Sequence, residues 1–226
     1  MRRWSDLPRN RLLADVSLWS ADLANLQAEI ARVSPLADSF HLDVADAHFV
    51  RGLLFFPDLV RALRPHTNKP FHVHLMAEDP AELIPEFAGA GADFITIHAE
   101  LGETKAGAAI EMIFQAGISA GIALRLDSPV AASIPYLGSV EALLLLGTEM
   151  GVKGRDLDPH ACARLEEASE RIREHGGRAR LVADGAIRVQ TVPLLRRAGA
   201  GVIVPGSLAF QSEDIAATAR WLHSLP

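Results

Sequence analysis

Eight short apolar runs, separated by amphipathic or polar stretches, repeat along the whole chain. The runs lie at residues 15–19, 40–45, 71–76, 93–99, 120–126, 141–147, 180–185 and 201–207. Strands that are apolar on both faces and alternate with helices are typical of a parallel sheet covered by helices. Eight such units without an intervening linker predict an α/β fold, a single (β/α)8 TIM barrel. An open doubly wound sheet is the alternative, and eight regular units in 226 residues favour the barrel.

The ends of the predicted helices follow from capping residues. The first helix, SADLANLQAEIARV, is expected to start at Ser20 or Ala21, and the third is expected to start at Pro80. Gly176 and Gly177 end the long helix that precedes the run at 180–185.

Composition limits the function classes. A chain of 226 residues with a net charge of -6 is a poor ligand for nucleic acid or an anionic membrane. The lone Cys162 cannot form an internal disulfide, and no apolar run reaches the length of a membrane span. We therefore expect one cytoplasmic barrel domain over residues 1–226, with residues 1–12 as an N-terminal extension and no leader peptide.

Histidines and acids occupy alternate positions on several predicted strands. Because alternate residues of a barrel strand point inward, His41, Asp43, His74, His98 and Asp184 should all face the interior. They lie near the carboxyl ends of their strands, where barrel enzymes have their active sites.

Four of these groups form a candidate ligand set. The two imidazoles and two carboxylates of His41, Asp43, His74 and Asp184 suit one divalent ion such as zinc, iron or manganese. The alternative is a set of buried polar residues that satisfy one another, and the convergence of four such groups favours a metal or catalytic site.

Two further patterns lie near the same predicted ends. Gly206 and Ser207 follow the last strand and Gly185 follows Asp184, and such turns offer backbone N–H groups to an anion such as phosphate. Ser17 faces inward on the first strand, where it could bind a substrate hydroxyl or merely fill space. Asp46 is expected to cap the turn after the second strand.

The segments SLWSADLANL, HLDVADAHFV, FHVHLMAEDP, AGADFITIHAE, ADGAI and VPGS together resemble the ribulose-phosphate 3-epimerase family over nearly the whole chain. The resemblance implies a barrel of the ribulose-phosphate-binding type and an isomerase of carbohydrate metabolism. It implies that His41, Asp43, His74 and Asp184 bind the metal and that Asp43 and Asp184 are also the catalytic acid–base pair.

The resemblance also implies a substrate and its binding residues. The reaction is epimerisation at carbon 3 of a phosphorylated ketose, such as ribulose 5-phosphate and xylulose 5-phosphate, through an enediolate. The implied substrate-binding residues are Ser17, His74, Gly151, Gly154, Gly185, Ala186, Gly206 and Ser207. Members of this family generally associate, so a homo-oligomer is expected.

Departures from the family pattern mark the chain as a divergent member. The loop TEMGVKGRDLDP keeps Gly151 and Gly154 but adds the cations Lys153 and Arg155. Ala186 replaces the second glycine of a phosphate loop. We expect these changes to alter the ketose phosphate that is bound, although sequence drift with an unchanged substrate is the alternative.

Arg125 and His98 are further candidates for determining specificity. Arg125 stands where an asparagine is usual, and a buried guanidinium needs a partner. We expect that partner to be Asp127 or Glu149, or the anionic substrate.

Two other function classes remain open. A lyase of the related phosphate-binding barrels, similar to hexulose-phosphate synthase, would share the phosphate loops, but DVADAH lacks the lysine typical of that class. A non-catalytic sugar-phosphate-binding protein is the third alternative, and the intact ligand set disfavours it.

Overall fold

The computed structural model describes residues 4–226, so residues 1–3 of the predicted N-terminal extension lie outside the described part. The strands are β1 (Leu13–Ser17), β2 (Ser39–Asp46), β3 (Leu53–Leu54), β4 (Phe71–Met76), β5 (Phe94–His98), β6 (Ser119–Leu124), β7 (Ala142–Leu146), β8 (Arg180–Asp184) and β9 (Val202–Val204). The α-helices are α1 (Leu26–Val33), α2 (Pro57–Leu63), α3 (Leu83–Ala90), α4 (Glu103–Gln115), α5 (Ala161–Glu174), α6 (Val192–Arg197), α7 (Ser207–Phe210) and α8 (Ile215–Ser224).

Eight parallel strands close into a barrel, which confirms the predicted fold class. The strands pair in the order β1-β9-β8-β7-β6-β5-β4-β2, and β1 also pairs with β2. The short β3 is additional: it runs antiparallel to β2, with Leu54 opposite Ala45. No helix within residues 4–226 has both the length and the apolar character needed to cross a membrane.

The strand register brings the polar residues to one level of the barrel. His41 pairs with Ser17 of β1 and with His72 of β4, and Asp43 pairs with His74. The intervening Leu42 is fully buried in the apolar layer between strands and helices. The alternation of inward and outward side chains is therefore as predicted.

The amino-terminal end of the barrel is filled by Trp4. Its side chain is fully buried and stacks on Phe94, with 4.5 Å between the ring centroids and 5° between the planes. Val182 and Val202 belong to the same apolar cluster. Residue 4 thus packs into the barrel interior although it precedes the first strand.

Two local predictions are wrong. The first helix begins at Leu26, not at Ser20 or Ala21, because the side chain of Asp22 accepts hydrogen bonds from the backbone of Ala24 and the side chain of Asn25, which holds a turn. The third helix begins at Leu83, not at Pro80. The segment after β6 is a 3-10 helix, Val130–Tyr136. Pro135 lies inside this segment and lacks the N–H that an α-helical hydrogen bond requires.

Candidate active site and metal centre

A cavity of about 360 Å³ opens at the carboxyl ends of the strands. The candidate residues that line it are Ser17, Asp43, His74, Gly151, Lys153, Gly154, Arg155, Asp184, Gly185, Ala186, Gly206 and Ser207. Three other candidates, His41, His98 and Arg125, lie outside this lining. His41 and His98 are fully buried.

Four side chains meet at the base of the cavity. The nearest nitrogen or oxygen atoms of His41, Asp43, His74 and Asp184 all lie within 4.8 Å of one another. Nε2 of His41 is 3.2 Å from Oδ1 of Asp43 and 4.0 Å from Oδ2 of Asp184. Nδ1 of His74 is 3.4 Å and 3.9 Å from the same two oxygens. Each imidazole therefore directs one nitrogen at the same pair of carboxylates.

The donor set fits a divalent metal ion. Nε2 of His41 is buried and has no hydrogen-bond partner among residues 4–226, although it faces two carboxylates. A buried polar atom without a partner is unusual in a native protein and indicates a ligand at that point. Two imidazoles with two carboxylates are ligands that zinc, iron and manganese accept. These four residues could thus hold one metal ion.

A fully buried carboxylate, Asp15, lies beneath this group. Its Oδ2 accepts hydrogen bonds from Nδ1 of His41 at 2.9 Å and from Nδ1 of His72 at 2.6 Å. The hydroxyl of Ser39 donates to its Oδ1 at 2.6 Å. Burial alone would raise the pKa of Asp15, but His72 and His41 hold that pKa below its ordinary value.

Asp15 is a site residue that the sequence interpretation missed. It lies two positions before Ser17 on β1, so strand alternation could have placed it inside the barrel. Asp15, His41 and His72 also lie close enough to hold a cation. Hydrogen bonds to Asp15 already occupy Nδ1 of both histidines, which favours a supporting role for Asp15.

The two cavity carboxylates have opposite pKa shifts. Burial raises the pKa of Asp184 to about 6, and the charge of Asp43 adds to this shift against the opposing effect of His41. Burial would also raise the pKa of Asp43, but the neighbouring charge of His41 above all, and that of His74, hold it below its usual range. Ser17 supports the ionised form of Asp43, since its hydroxyl donates to Oδ2 at 2.8 Å. The pair therefore combines an ionised carboxylate with one that holds a proton more readily.

A second chain of polar side chains begins at His74 and leads away from the cavity. Nε2 of His74 lies 2.8 Å from Nε2 of His98, and Nδ1 of His98 lies 2.9 Å from Oε2 of Glu100. Burial lowers the pKa of His98 to about 4. Burial would raise the pKa of Glu100, but its hydrogen bonds, above all from His98, lower it to about 2. Glu100, which the sequence interpretation also missed, follows His98 by two residues.

The glycine-rich side of the cavity depends on close backbone approach. A Cβ on Gly206 would lie 2.4 Å from Oγ of Ser20, and a Cβ on Gly185 would lie 2.4 Å from Oγ1 of Thr148. Gly185 and Ala186 both adopt positive φ angles, 96° and 53°. Ala186 thus takes a left-handed backbone conformation that usually favours glycine.

The loop after β7 places Lys153 in the lining of the cavity, beside Trp19. Its Nζ donates to the backbone oxygen of Trp19 at 2.6 Å and lies 4.5 Å from the centre of the indole ring. Arg155 instead pairs with Glu149 at 3.5 Å, and both side chains are exposed. Both partners of Lys153 are uncharged groups, so its positive charge faces the cavity without a bonded carboxylate.

Arg125 has a different partner from the one expected. Its Nη2 donates to the backbone oxygen of Phe49 at 2.9 Å, and its guanidinium lies 4.2 Å from the centre of that ring. The expectation of Asp127 or Glu149 as partner is wrong, because the carbonyl and the ring of Phe49 provide the contacts. Asp46 caps the turn before Phe49 as predicted, since its Oδ1 accepts from two backbone N–H groups.

Comparison with known proteins identifies sequence relatives. The family described as Ribulose-phosphate 3 epimerase family matches residues 13–210. The ribulose-phosphate 3-epimerase of Bacillus subtilis (strain 168) is 35% identical over 204 residues, which cover 88% of this chain and 92% of the relative. That of Treponema pallidum (strain Nichols) is 38% identical over 195 residues, which cover 86% and 89%. That of Escherichia coli (strain K12) is 32% identical over 200 residues, which cover 88% of each.

Solved structures of other proteins share the fold. A 3-hexulose-6-phosphate synthase superposes with a TM-score of 0.66 at 19% identity and covers 95% of this chain and 99% of its own. Orotidine 5'-phosphate decarboxylase from Pyrococcus horikoshii OT3 gives 0.66 at 13% identity, covering 93% and 97%. At these identities the similarity concerns the barrel alone.

Proposed function

The chain belongs to the ribulose-phosphate 3-epimerase family, and on this premise we propose that it epimerises a phosphorylated ketose at carbon 3. The observation that carries the proposal is the meeting of Asp43 and Asp184 with two imidazoles at the base of one cavity. A proton beside a ketone is weakly acidic, and its removal and return need two groups on opposite faces of the carbon.

Asp43 and Asp184 are the proposed acid–base pair. They project from β2 and β8, which are separated in the barrel by β1 and β9, so a substrate carbon fits between them. Asp43, which accepts a hydrogen bond from Ser17, can take the proton, and Asp184 can return one from the opposite side. In the reverse direction the two residues exchange roles, as microscopic reversibility requires.

His41 and His74, together with the two aspartates, are the proposed metal ligands. A divalent ion bound there would supply a Lewis acid for the ketose oxygens and so favour the enediolate. Zinc, iron and manganese all suit these ligands, and elemental analysis of protein purified without chelator would identify the metal. Ser17 keeps Asp43 oriented through its hydrogen bond of 2.8 Å.

The proposed phosphate site lies on the glycine-rich side of the cavity. Its residues are Gly151, Gly154, Gly185, Ala186, Gly206 and Ser207. Close backbone approach at Gly185 and Gly206 lets backbone groups reach an anion. Ribulose 5-phosphate is the simplest substrate, whereas the cavity cations Lys153 and Arg155 favour an altered ketose phosphate.

The test is a substrate screen with metal-loaded protein. Ketotetrose, ketopentose and ketohexose phosphates are incubated separately, and carbon 3 is followed by proton NMR. The proposal predicts conversion of at least one ketose phosphate into its carbon-3 epimer. Cleavage of a carbon–carbon bond instead would favour the lyase class, and binding without conversion would favour a sugar-phosphate-binding protein.

We also propose that copies of the chain associate. Leu53, the first residue of β3, and Phe56, two residues after the end of β3, are 78% and 59% exposed. Large apolar side chains at the surface often mark a contact with another protein. Light scattering of the protein eluting from a sizing column would measure its mass, and a monomer at micromolar concentration would reject association.

A further inference from the structure

The chain of hydrogen bonds behind His74 ends at groups whose direction is fixed. The backbone N–H of Arg125 donates to Oε1 of Glu100 at 2.7 Å, and the hydroxyl of Ser128 donates to the same oxygen. The other oxygen, Oε2, lies 2.9 Å from Nδ1 of His98. A backbone N–H can only donate, and an ionised carboxylate can only accept.

This arrangement determines the position of each proton. Because Glu100 accepts, Nδ1 of His98 carries the hydrogen of that bond, and Nε2 of the neutral ring is an acceptor. Nε2 of His74, at 2.8 Å, must then donate to it. Nδ1 of His74 is left as a bare lone pair in the neutral ring.

The bare nitrogen points at the candidate metal centre. Nδ1 of His74 lies 3.4 Å from Asp43 and 3.9 Å from Asp184. At 3.4 Å a hydrogen bond to Asp43 would be long, so the shorter bond to His98 governs the ring. Only a deprotonated nitrogen can bind a metal.

We propose that Glu100 is a positioning residue which, through His98, fixes the tautomer of His74 so that Nδ1 is available as a metal ligand. The inference rests on the metal site of the proposed function and on no particular substrate. Groups that orient a ligating imidazole typically change metal affinity about 10–100-fold when they are replaced. His98, which lies outside the cavity lining, thereby gains a role in relaying this orientation.

Glu100→Gln is a sharp test because an amide cannot accept with both of its atoms. The fixed N–H of Arg125 requires the amide oxygen, so the amide NH2 group faces Nδ1 of His98. His98 then accepts at Nδ1 and donates from Nε2, which places a proton on Nδ1 of His74. Ser128→Ala is the matched control, since it removes a hydrogen bond to Glu100 and leaves both oxygens as acceptors.

Two measurements test the proposal, and neither uses turnover. Zn²⁺ affinity, measured by competition with a chromophoric chelator, should fall at least about tenfold in Glu100→Gln and much less in Ser128→Ala. In the metal-free wild type at pH 7.5, ¹⁵N NMR of the histidine rings should show Nε2 of His74 protonated and Nδ1 bare. In Glu100→Gln the two nitrogens should exchange states.

The wild-type ¹⁵N spectrum tests the proposal even if a variant fails to fold. A proton on Nδ1 of His74 in the wild type would overturn it, as would a folded Glu100→Gln protein with unchanged Zn²⁺ affinity. If the tautomer and the affinities are as expected and no ketose phosphate is epimerised, the proposed function fails while this inference stands.

Discussion

Nδ1 of His41 donates a hydrogen bond of 2.9 Å to Asp15, a carboxylate that is fully buried below the cavity. The bond turns the opposite nitrogen, Nε2, towards Asp43 and Asp184, where it makes no hydrogen bond within the described part of the chain. A carboxylate behind a ligating imidazole fixes the ring and increases its basicity. Asp15 therefore orients His41, a proposed metal ligand, as Glu100 is proposed to orient His74.

Asp15→Asn should weaken metal binding. Loss of the buried negative charge lowers the basicity of His41, so we expect Zn²⁺ affinity to fall about 10–100-fold. Chelator competition measures this change. Asp93→Asn is the control, because Asp93 is a partly buried carboxylate that pairs with Arg64, away from the cavity. Equal affinities in Asp15→Asn and the wild type would exclude this role for Asp15.

Asp184→Asn should stabilise the metal-free protein at neutral pH. An acid whose pKa is raised in the folded state stabilises the fold below its unfolded pKa and loses that contribution as pH rises through the folded pKa. For Asp184 the window runs from 3.8 to about 6. Above the upper end of this window, removal of the charge should increase the free energy of unfolding by up to about 3 kcal/mol. Below pH 3.8 the increase should be much smaller.

Urea unfolding of chelated protein at pH 4 and pH 7.5 measures that difference. The exposed Asp58, changed to asparagine, provides the control. A variant that is less stable than the wild type at both pH values would contradict the raised pKa.

Arg125→Met should affect stability rather than substrate binding. The guanidinium contacts the carbonyl and the ring of Phe49 and does not line the cavity. Loss of these contacts should cost about 1–2 kcal/mol, or about 4 °C in Tm. A large increase in KM with an unchanged Tm would show that Arg125 contributes to substrate specificity.

Lys153→Met should affect substrate binding rather than stability. The Lys153 ammonium lines the cavity and contacts the carbonyl and ring of Trp19, which are both uncharged, so an anionic substrate can recruit it. We expect KM for the substrate found in the screen to rise about tenfold or more, with little change in kcat or Tm. Arg155→Met, which breaks an exposed ion pair with Glu149, is the comparison and should change KM less. An unchanged KM in Lys153→Met would exclude contact with the substrate.

Trp4→Ala should destabilise the barrel although Trp4 does not line the cavity. The indole is fully buried and stacks on Phe94 at 4.5 Å. Its removal leaves a cavity at the amino-terminal end and should cost about 3–5 kcal/mol. Thermal unfolding measures the loss, and a Tm within a degree of the wild type would show that the N-terminal extension is dispensable.

Strand alternation was sufficient to predict that the four candidate metal ligands meet inside the barrel. His41 and Asp43 are two residues apart on one strand, and the barrel leaves them no direction but inward. Asp15 follows the same rule and could have been predicted with Ser17. The start of the first helix could not be placed, because a local hydrogen bond from the backbone N–H of Ala24 to the side chain of Asp22 competes with helical propensity.

Contacts between loops could not be predicted from the sequence. The bond from Lys153 to Trp19 joins residues 134 positions apart, and the bond from Arg125 to Phe49 joins residues 76 apart. The length and charge of a cationic side chain do not identify its partner in the fold. A backbone carbonyl and an aromatic ring can take the place of the carboxylate that is usually expected beside a cation.

Epimerisation by two aspartates predicts that the proton at carbon 3 of the product comes from the solvent. The substrate found in the screen is converted by metal-loaded enzyme in heavy water, and both epimers are analysed by proton NMR at low conversion. With Asp43 and Asp184 on opposite faces, the product should carry deuterium at carbon 3 while the remaining substrate keeps its protium. A product that retains the proton of the substrate would exclude epimerisation by two bases on opposite faces.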